Sequence, residues 1–287
     1  MNWWHPAKAA FDSGEACILV RVLSISGSAP REAGATMIVF ESDFAGTVGG
    51  GALEHRCMQR ARELQKDDGL AIGETITENW ILGPDIGQCC GGAVDLTLQR
   101  MGLAVFDGLE KTEAATRALL PEVVIFGAGH VGGAIARALT SLPLRTVCVD
   151  SRAELLVRHE MFVETRLVDD PVSEMANVSA GALVFVMSHS HDLDYDLCQA
   201  ALERNDLVFV GLIGSQTKKA RFFQRMEGQG MGKDMLSKLT CPIGIGGITG
   251  KEPAVIAASV AAQVLQIVDQ MAKSQKNRSK NRKVIIH

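Results

Sequence analysis

Aromatic residues are scarce in this sequence: phenylalanine, tryptophan and tyrosine together make up 5% of its 287 residues, with a single tyrosine. A surface that binds single strands by stacking bases needs rows of such rings, so that class is disfavoured. An excess of positive charge is also missing. The formal net charge of −4 argues against phosphate-backbone partners, and no nucleic-acid partner is expected. No uninterrupted apolar run approaches about 18 residues, so no membrane span is expected. The opening MNWWHPAKAAFDSGEACILV lacks a basic region followed by an apolar stretch and a small-residue cleavage site, so no secretory signal is expected either. CxxC spacing is absent. Seven cysteines, an odd number, fit free thiols in a reducing compartment rather than a disulfide framework, and the expected location is cytoplasmic.

What the chain does contain is apolar mass and glycine. With 47% hydrophobic and 22% charged residues it is able to bury a core, and a prior of roughly 150 residues per domain makes two domains the natural expectation. Residues 1–118 read as a small α+β domain, with strand-like runs at 16–25, 35–40, 71–80 and 93–99. Between Ala52 and Lys66, Leu53, Cys57, Ala61 and Leu64 recur at helical spacing. Residues 103–120 read as a helical connector, and Pro121 precedes an apolar strand. From 119 to 272 the short apolar runs at 123–126, 146–149, 182–187 and 207–213 alternate with helical segments, the pattern of a buried parallel sheet. The fold class is therefore α/β, a C-terminal Rossmann-type doubly wound parallel sheet with a smaller N-terminal α+β domain. Residues 273–287 carry six Lys or Arg and no acid, and read as a disordered basic tail.

The strongest chemical signal is Val123 to Gly132, VVIFGAGHVG, a strand running into GxGxxG and then a helix. Gly127 permits a tight turn, Gly129 lets a pyrophosphate approach the backbone, and Gly132 lets the helix pack close to the sheet. Asp150 ends the next strand, where an acid bonds a ribose hydroxyl. In Gly87-Gln88-Cys89-Cys90-Gly91-Gly92, two thiols sit among glycines whose exposed amides favour a thiolate, suiting soft-metal ligation or sulfur handling. Gly49 and Gly50 belong to a glycine-rich helix entry, 46–54, that reads either as an oxyanion cradle or as a tight turn. His189 and His191 follow a strand at the carboxyl edge of the sheet, with Asp192, as hydrogen-bonding, ligand-facing groups or as a metal set. Ser215 lies in a further strand-to-helix turn, Gly211 to Lys219, suited to an anion. These residues admit an NAD(P)-dependent oxidoreductase on Gly127, Gly129, Gly132 and Asp150 with His189 or His191 as acid or base, and, ranked lower for want of a resolving CxxC pair, a redox-sensing thiol protein on Cys89 and Cys90.

The blocks GSAPREAGATM, GTVGGGALE, GQCCGG, VVIFGAGHVG, SHSHDLDY, GLIGSQTKKARF and CPIGIGGITGKEPAVIAASVAAQ, in this order, resemble the XdhC family of xanthine dehydrogenase accessory proteins. The resemblance implies a chaperone rather than an enzyme. Such a chaperone holds molybdenum cofactor, in its molybdopterin form, while a cysteine desulfurase supplies the sulfido ligand, and delivers it to an apo xanthine dehydrogenase or related molybdenum hydroxylase. It also implies that the loop Gln88, Cys89, Cys90, Gly91 meets the cofactor, with Cys90 as the molybdenum contact, and that the Rossmann glycines hold a phosphate or nucleotide portion. A homodimer is a further expectation.

Overall fold

The computed structural model describes residues 8, 11–28, 31–66, 70–82, 92–160 and 162–284. Contacts divide the chain into two compact units, Met1–Thr116 and Arg117–His287.

The first unit holds a five-stranded antiparallel sheet of β1 (Ile18–Ser26), β2 (Thr36–Val39), β3 (Phe44–Gly46), β4 (Thr75–Ile81) and β5 (Ala93–Arg100), in the order β3-β2-β1-β5-β4. Strand alternation decides its faces. In β5, Val94, Leu96 and Leu98 are buried while their neighbours are half-buried. They join Ile18, Val20, Val22, Met37 and Val39 under helix α1 (Gly51–Lys66). The four helix positions facing them, Leu53, Cys57, Ala61 and Leu64, are those whose spacing gives an apolar stripe, and burying a large apolar side chain such as either leucine contributes roughly 1.5–3 kcal/mol. On the opposite face Leu19, Ile38 and Phe40 pack with Phe106 and Leu109 of helix α2 (Leu103–Ala118). A register shift between Val22 and Ser24 interrupts the β1–β5 pairing, and Leu23 there is 56% exposed.

The second unit is a six-stranded parallel sheet of β6 (Glu122–Phe126), β7 (Arg145–Asp150), β8 (Glu164–Leu167), β9 (Leu183–Val186), β10 (Phe209–Leu212) and β11 (Leu239–Thr240). The order β11-β10-β9-β6-β7-β8 is the doubly wound order in which the chain reverses direction across the sheet between β6 and β9. Both of those strands are wholly buried, as continuous apolar runs covered on two faces must be. Helices α3 (His130–Leu139), α4 (Ala153–Leu156), α5 (His191–Glu203), α6 (Gln216–Gly228) and α7 (Lys233–Leu236) connect the strands.

Helix α8 (Pro253–Val284) closes the unit. It buries Ala257, Val260 and Val264 in the same apolar cluster as Ile135 and Leu139 of α3. The stretch Pro253–Ser274 has the length and apolar composition of a membrane span, which the sequence reading did not anticipate, and its buried stripe serves as a cover of the sheet. α8 continues into the basic segment as far as Val284, where Lys, Arg, Gln and Ser are adequate helix formers and no glycine or proline interrupts.

Candidate functional site

β6 delivers the chain to Gly127 at the switch point of the parallel sheet. Gly127 has φ +118, and a Cβ there would collide with the Met187 carbonyl at the end of β9. Only glycine lets the two strand ends come this close. A Cβ on Gly132 would run into the Gly127 carbonyl, so that glycine seats α3 against its own turn. Gly129, the N-cap of α3, is different: no heavy atom lies within 4 Å of where its Cβ would be, and no side chain caps the helix. The open side of Gly129 and the uncapped amides of a ten-residue helix suit an approaching anion.

Beside this turn lies a small cleft lined by Phe126, Gly127, Val149, Asp150, Ser151, Pro171, Ser188, His189, Leu193 and Leu197. Its position outside the carboxyl ends of β6, β7 and β9 is where open α/β sheets take ligands. Asp150 is 4% exposed and ties the cleft together. One oxygen accepts from the Ala128 amide at 2.7 Å and Nη2 of Arg152 at 2.8 Å, the other from the Arg152 amide at 3.0 Å and its Nε at 2.8 Å. Burial works against the carboxylate, but these donors outweigh it and hold the carboxyl below its ordinary value. Behind the turn, buried His159 places Nε2 3.3 Å from the Ala128 carbonyl, and a Cβ on Gly133 would strike its ring.

His189 lines the cleft and is exposed; His191, the first residue of α5, is exposed and absent from the lining. Asp192 pairs instead with Arg225 at 3.5 Å. Among the described residues no group of three His, Cys, Asp or Glu is placed to hold a metal, so the metal reading of this loop is set aside. Ser215 is likewise not among the lining residues: it caps α6, accepting from the Lys218 amide at 3.2 Å. The loop is braced by residues the sequence reading passed over. Asp194, 2% exposed, accepts from the Ser188 amide at 2.7 Å and from Lys218 Nζ at 2.6 Å, and Lys218 also donates to the Ile213 carbonyl at 3.1 Å. The available signal was phase: Asp194 falls on the inward face of α5, with Tyr195, Leu197 and Cys198.

In the first unit the glycine-rich helix entry is filled from within. Gly50 donates its amide to Glu54 Oε2 at 2.8 Å, Thr47 its hydroxyl to the same oxygen at 2.6 Å, and Gly49 its amide to Thr47 Oγ1 at 3.2 Å. The cradle read from the sequence is thus occupied by the chain's own carboxylate, a helix-capping arrangement. Gln88, Cys89, Cys90 and Gly91 lie outside the described residues. The other five cysteines, Cys17, Cys57, Cys148, Cys198 and Cys241, are all buried, and burial, foremost, raises each thiol. None of these five is a ready thiolate.

Two family models match this chain, the XdhC Rossmann domain over residues 123–264 and the XdhC and CoxI family over residues 10–72. The chain belongs to the XdhC family. Among curated relatives of this XdhC chain, the molybdenum cofactor insertion chaperone PaoD of Escherichia coli is 25% identical over 281 residues, covering 91% of this chain and 86% of PaoD. The uncharacterised Escherichia coli protein YqeB is also 25% identical, over 254 residues; the match takes in 87% of this chain but 43% of YqeB. In fold, the chain is similar to a crystal structure described as a xanthine dehydrogenase from Bacillus halodurans, with a TM-score of 0.68 and 18% identity over 94% of this chain and 96% of that one.

Proposed function

We propose that this XdhC-family protein is a cytoplasmic chaperone that binds molybdenum cofactor as cargo, holds it during sulfuration by a cysteine desulfurase, and delivers it to an apo xanthine dehydrogenase-type molybdenum hydroxylase. The observation that carries the reading is the match to PaoD, which spans both units of this chain and most of that chaperone's length. Thiol chemistry supports it. Soft molybdenum favours a thiolate, five of the seven cysteines are buried and held protonated, and the thiolate role therefore falls to Cys89 and Cys90, with Cys90 as the contact. In the second unit Gly127, Gly129 and Gly132 would hold the phosphate or nucleotide portion of the cargo. Holding cargo requires no bond making at carbon, and a labile metal–thiolate contact permits handover.

The test is molybdenum and oxidised-pterin content of protein purified without oxygen from a cofactor-producing host. Wild type is expected to carry pterin near one equivalent, Cys90→Ala to lose it with thermal unfolding unchanged, and Cys89→Ala to retain more. Full retention by Cys90→Ala would reassign the contact. Absence of pterin from wild type, together with turnover of a nicotinamide nucleotide, would overturn the chaperone in favour of an oxidoreductase.

A further inference from the structure

Helix α8 is apolar over a wider arc than its own unit covers. Ala257, Val260 and Val264 are buried, with Ile267 and Met271 half-buried, in the cluster that also holds Ile135 and Leu139 of α3. One residue further along, Ala254, Ala258, Ala261, Leu265, Val268 and Ala272 follow one another in alternating steps of four and three, the spacing of a helix–helix seam. A step of one residue turns the helix by about 100°, so this second stripe lies beside the first. Ala254, Ala258 and Ala272 are exposed, Ala261 and Val268 half-buried, and Leu265 is 42% exposed. Polar residues, Gln266, Asp269 and Gln270, begin only on its far side. A contiguous exposed apolar stripe marks an interaction surface.

The stripe is complementary to itself. Turned end for end about a two-fold axis at residue 263, it sets Ala254 opposite Ala272, Ala258 opposite Val268 and Ala261 opposite Leu265. Each large side chain meets an alanine, so two such helices close without a clash. On the polar flank the same turn brings Glu252, just before the helix, opposite Lys273, and both are exposed. A parallel pairing fails on both counts: it stacks Leu265 on Leu265 and sets Glu252 against Glu252. We propose that this face of α8 takes a second copy of the chain, helix against helix and antiparallel about residue 263. The seam from Ala254 to Ala272 is about 27 Å long, at about 1.5 Å of rise per residue. It is independent of what the protein carries, so its failure leaves the chaperone reading to the pterin measurement.

The experiment is analytical ultracentrifugation of the full chain over a micromolar concentration series, with thermal unfolding as the control on folding. Wild type is expected to be a dimer, and Leu265→Arg to raise the dimer dissociation constant about tenfold or more, because a guanidinium would be buried against Ala261 of the second copy. Ala258→Leu is the sharper variant, since the position is exposed and unfolding should not shift. If the stripe were merely sticky, an added leucine would tighten association; a fitted seam has no room for it opposite Val268, and association is expected to weaken several-fold. Glu252→Lys is expected to weaken the dimer modestly, and Glu252→Lys combined with Lys273→Glu to restore it. Undiminished dimerisation of Leu265→Arg, tighter association of Ala258→Leu, or no recovery in the charge-swapped variant would each overturn the proposal. So would a monomeric wild type, including one in which Leu265→Arg abolishes binding of an apo-hydroxylase, which would give this face to the client instead.

Discussion

Asp194 and Lys218 are opposite charges almost removed from water, 3% and 13% exposed, and they join the loop after β9 to the loop after β10. Removing one partner of such a pair leaves the other charge buried and uncompensated, at a cost of about 3–5 kcal/mol. Lys218→Met is therefore expected to lower the second unit's urea midpoint sharply, with Lys218→Arg recovering part of the loss; a midpoint within error of wild type would show the pair to be dispensable. At this scale the sequence was only half legible. The glycines of the Val123–Gly132 block announced their roles because each role is steric and local, and Asp150 announced its position by following a strand. Asp194 did not, because its importance arises from what pairs with it, and its partner Lys218 lies 24 residues away.

Among the elements, the helix entry at Gly46 to Glu54 shows how one motif reads two ways. Glycines before a helix signify exposed amides, and nothing in their spacing reveals that Glu54 folds back to fill them. Glu54→Ala is expected to destabilise the first unit by about 1 kcal/mol, the usual cost of losing a side-chain cap, measured by denaturant unfolding. No loss would mean that water replaces the carboxylate without penalty. The long, periodic elements were readable: the stripe Leu53, Cys57, Ala61, Leu64 is the buried face of α1, and the apolar runs of the parallel sheet became β6, β7, β9 and β10. The strands missed were β3, β8 and β11, which are short. β8 is also charged, its Glu164 and Arg166 forming ion pairs with Arg145 and Glu174, and an edge strand so built carries no hydrophobic signal.

Across the whole molecule the buried thiols set an alkaline limit. Burial, foremost, pushes Cys17 up to about 11 and Cys57 and Cys148 up to about 12, from an ordinary 9.0. A folded value raised above the unfolded one means that folding favours the protonated thiol. This stability is whole below pH 9.0 and drains away as pH climbs through 11 to 12. Unfolding midpoints are expected to fall as pH rises from about 8.5 to about 11, and less steeply in Cys57→Ala, which has one raised thiol fewer to lose. A parallel decline in that variant and wild type would remove Cys57 from the account. The same burial predicts that a thiol reagent at neutral pH reaches none of these five cysteines until the chain unfolds.

In both sheets the strand made first ends up in the middle. β1 is flanked by β2 and β5, and β6 by β7 and β9. On a ribosome, each unit's central strand therefore emerges with both flanks bare. β1 is complete only when Arg100 has appeared, and β6 waits until Val186. The first unit has every strand it needs before the second has begun, so the nascent chain never holds both incomplete sheets at once. Its most vulnerable moment comes while residues between β8 and β9 are still being added.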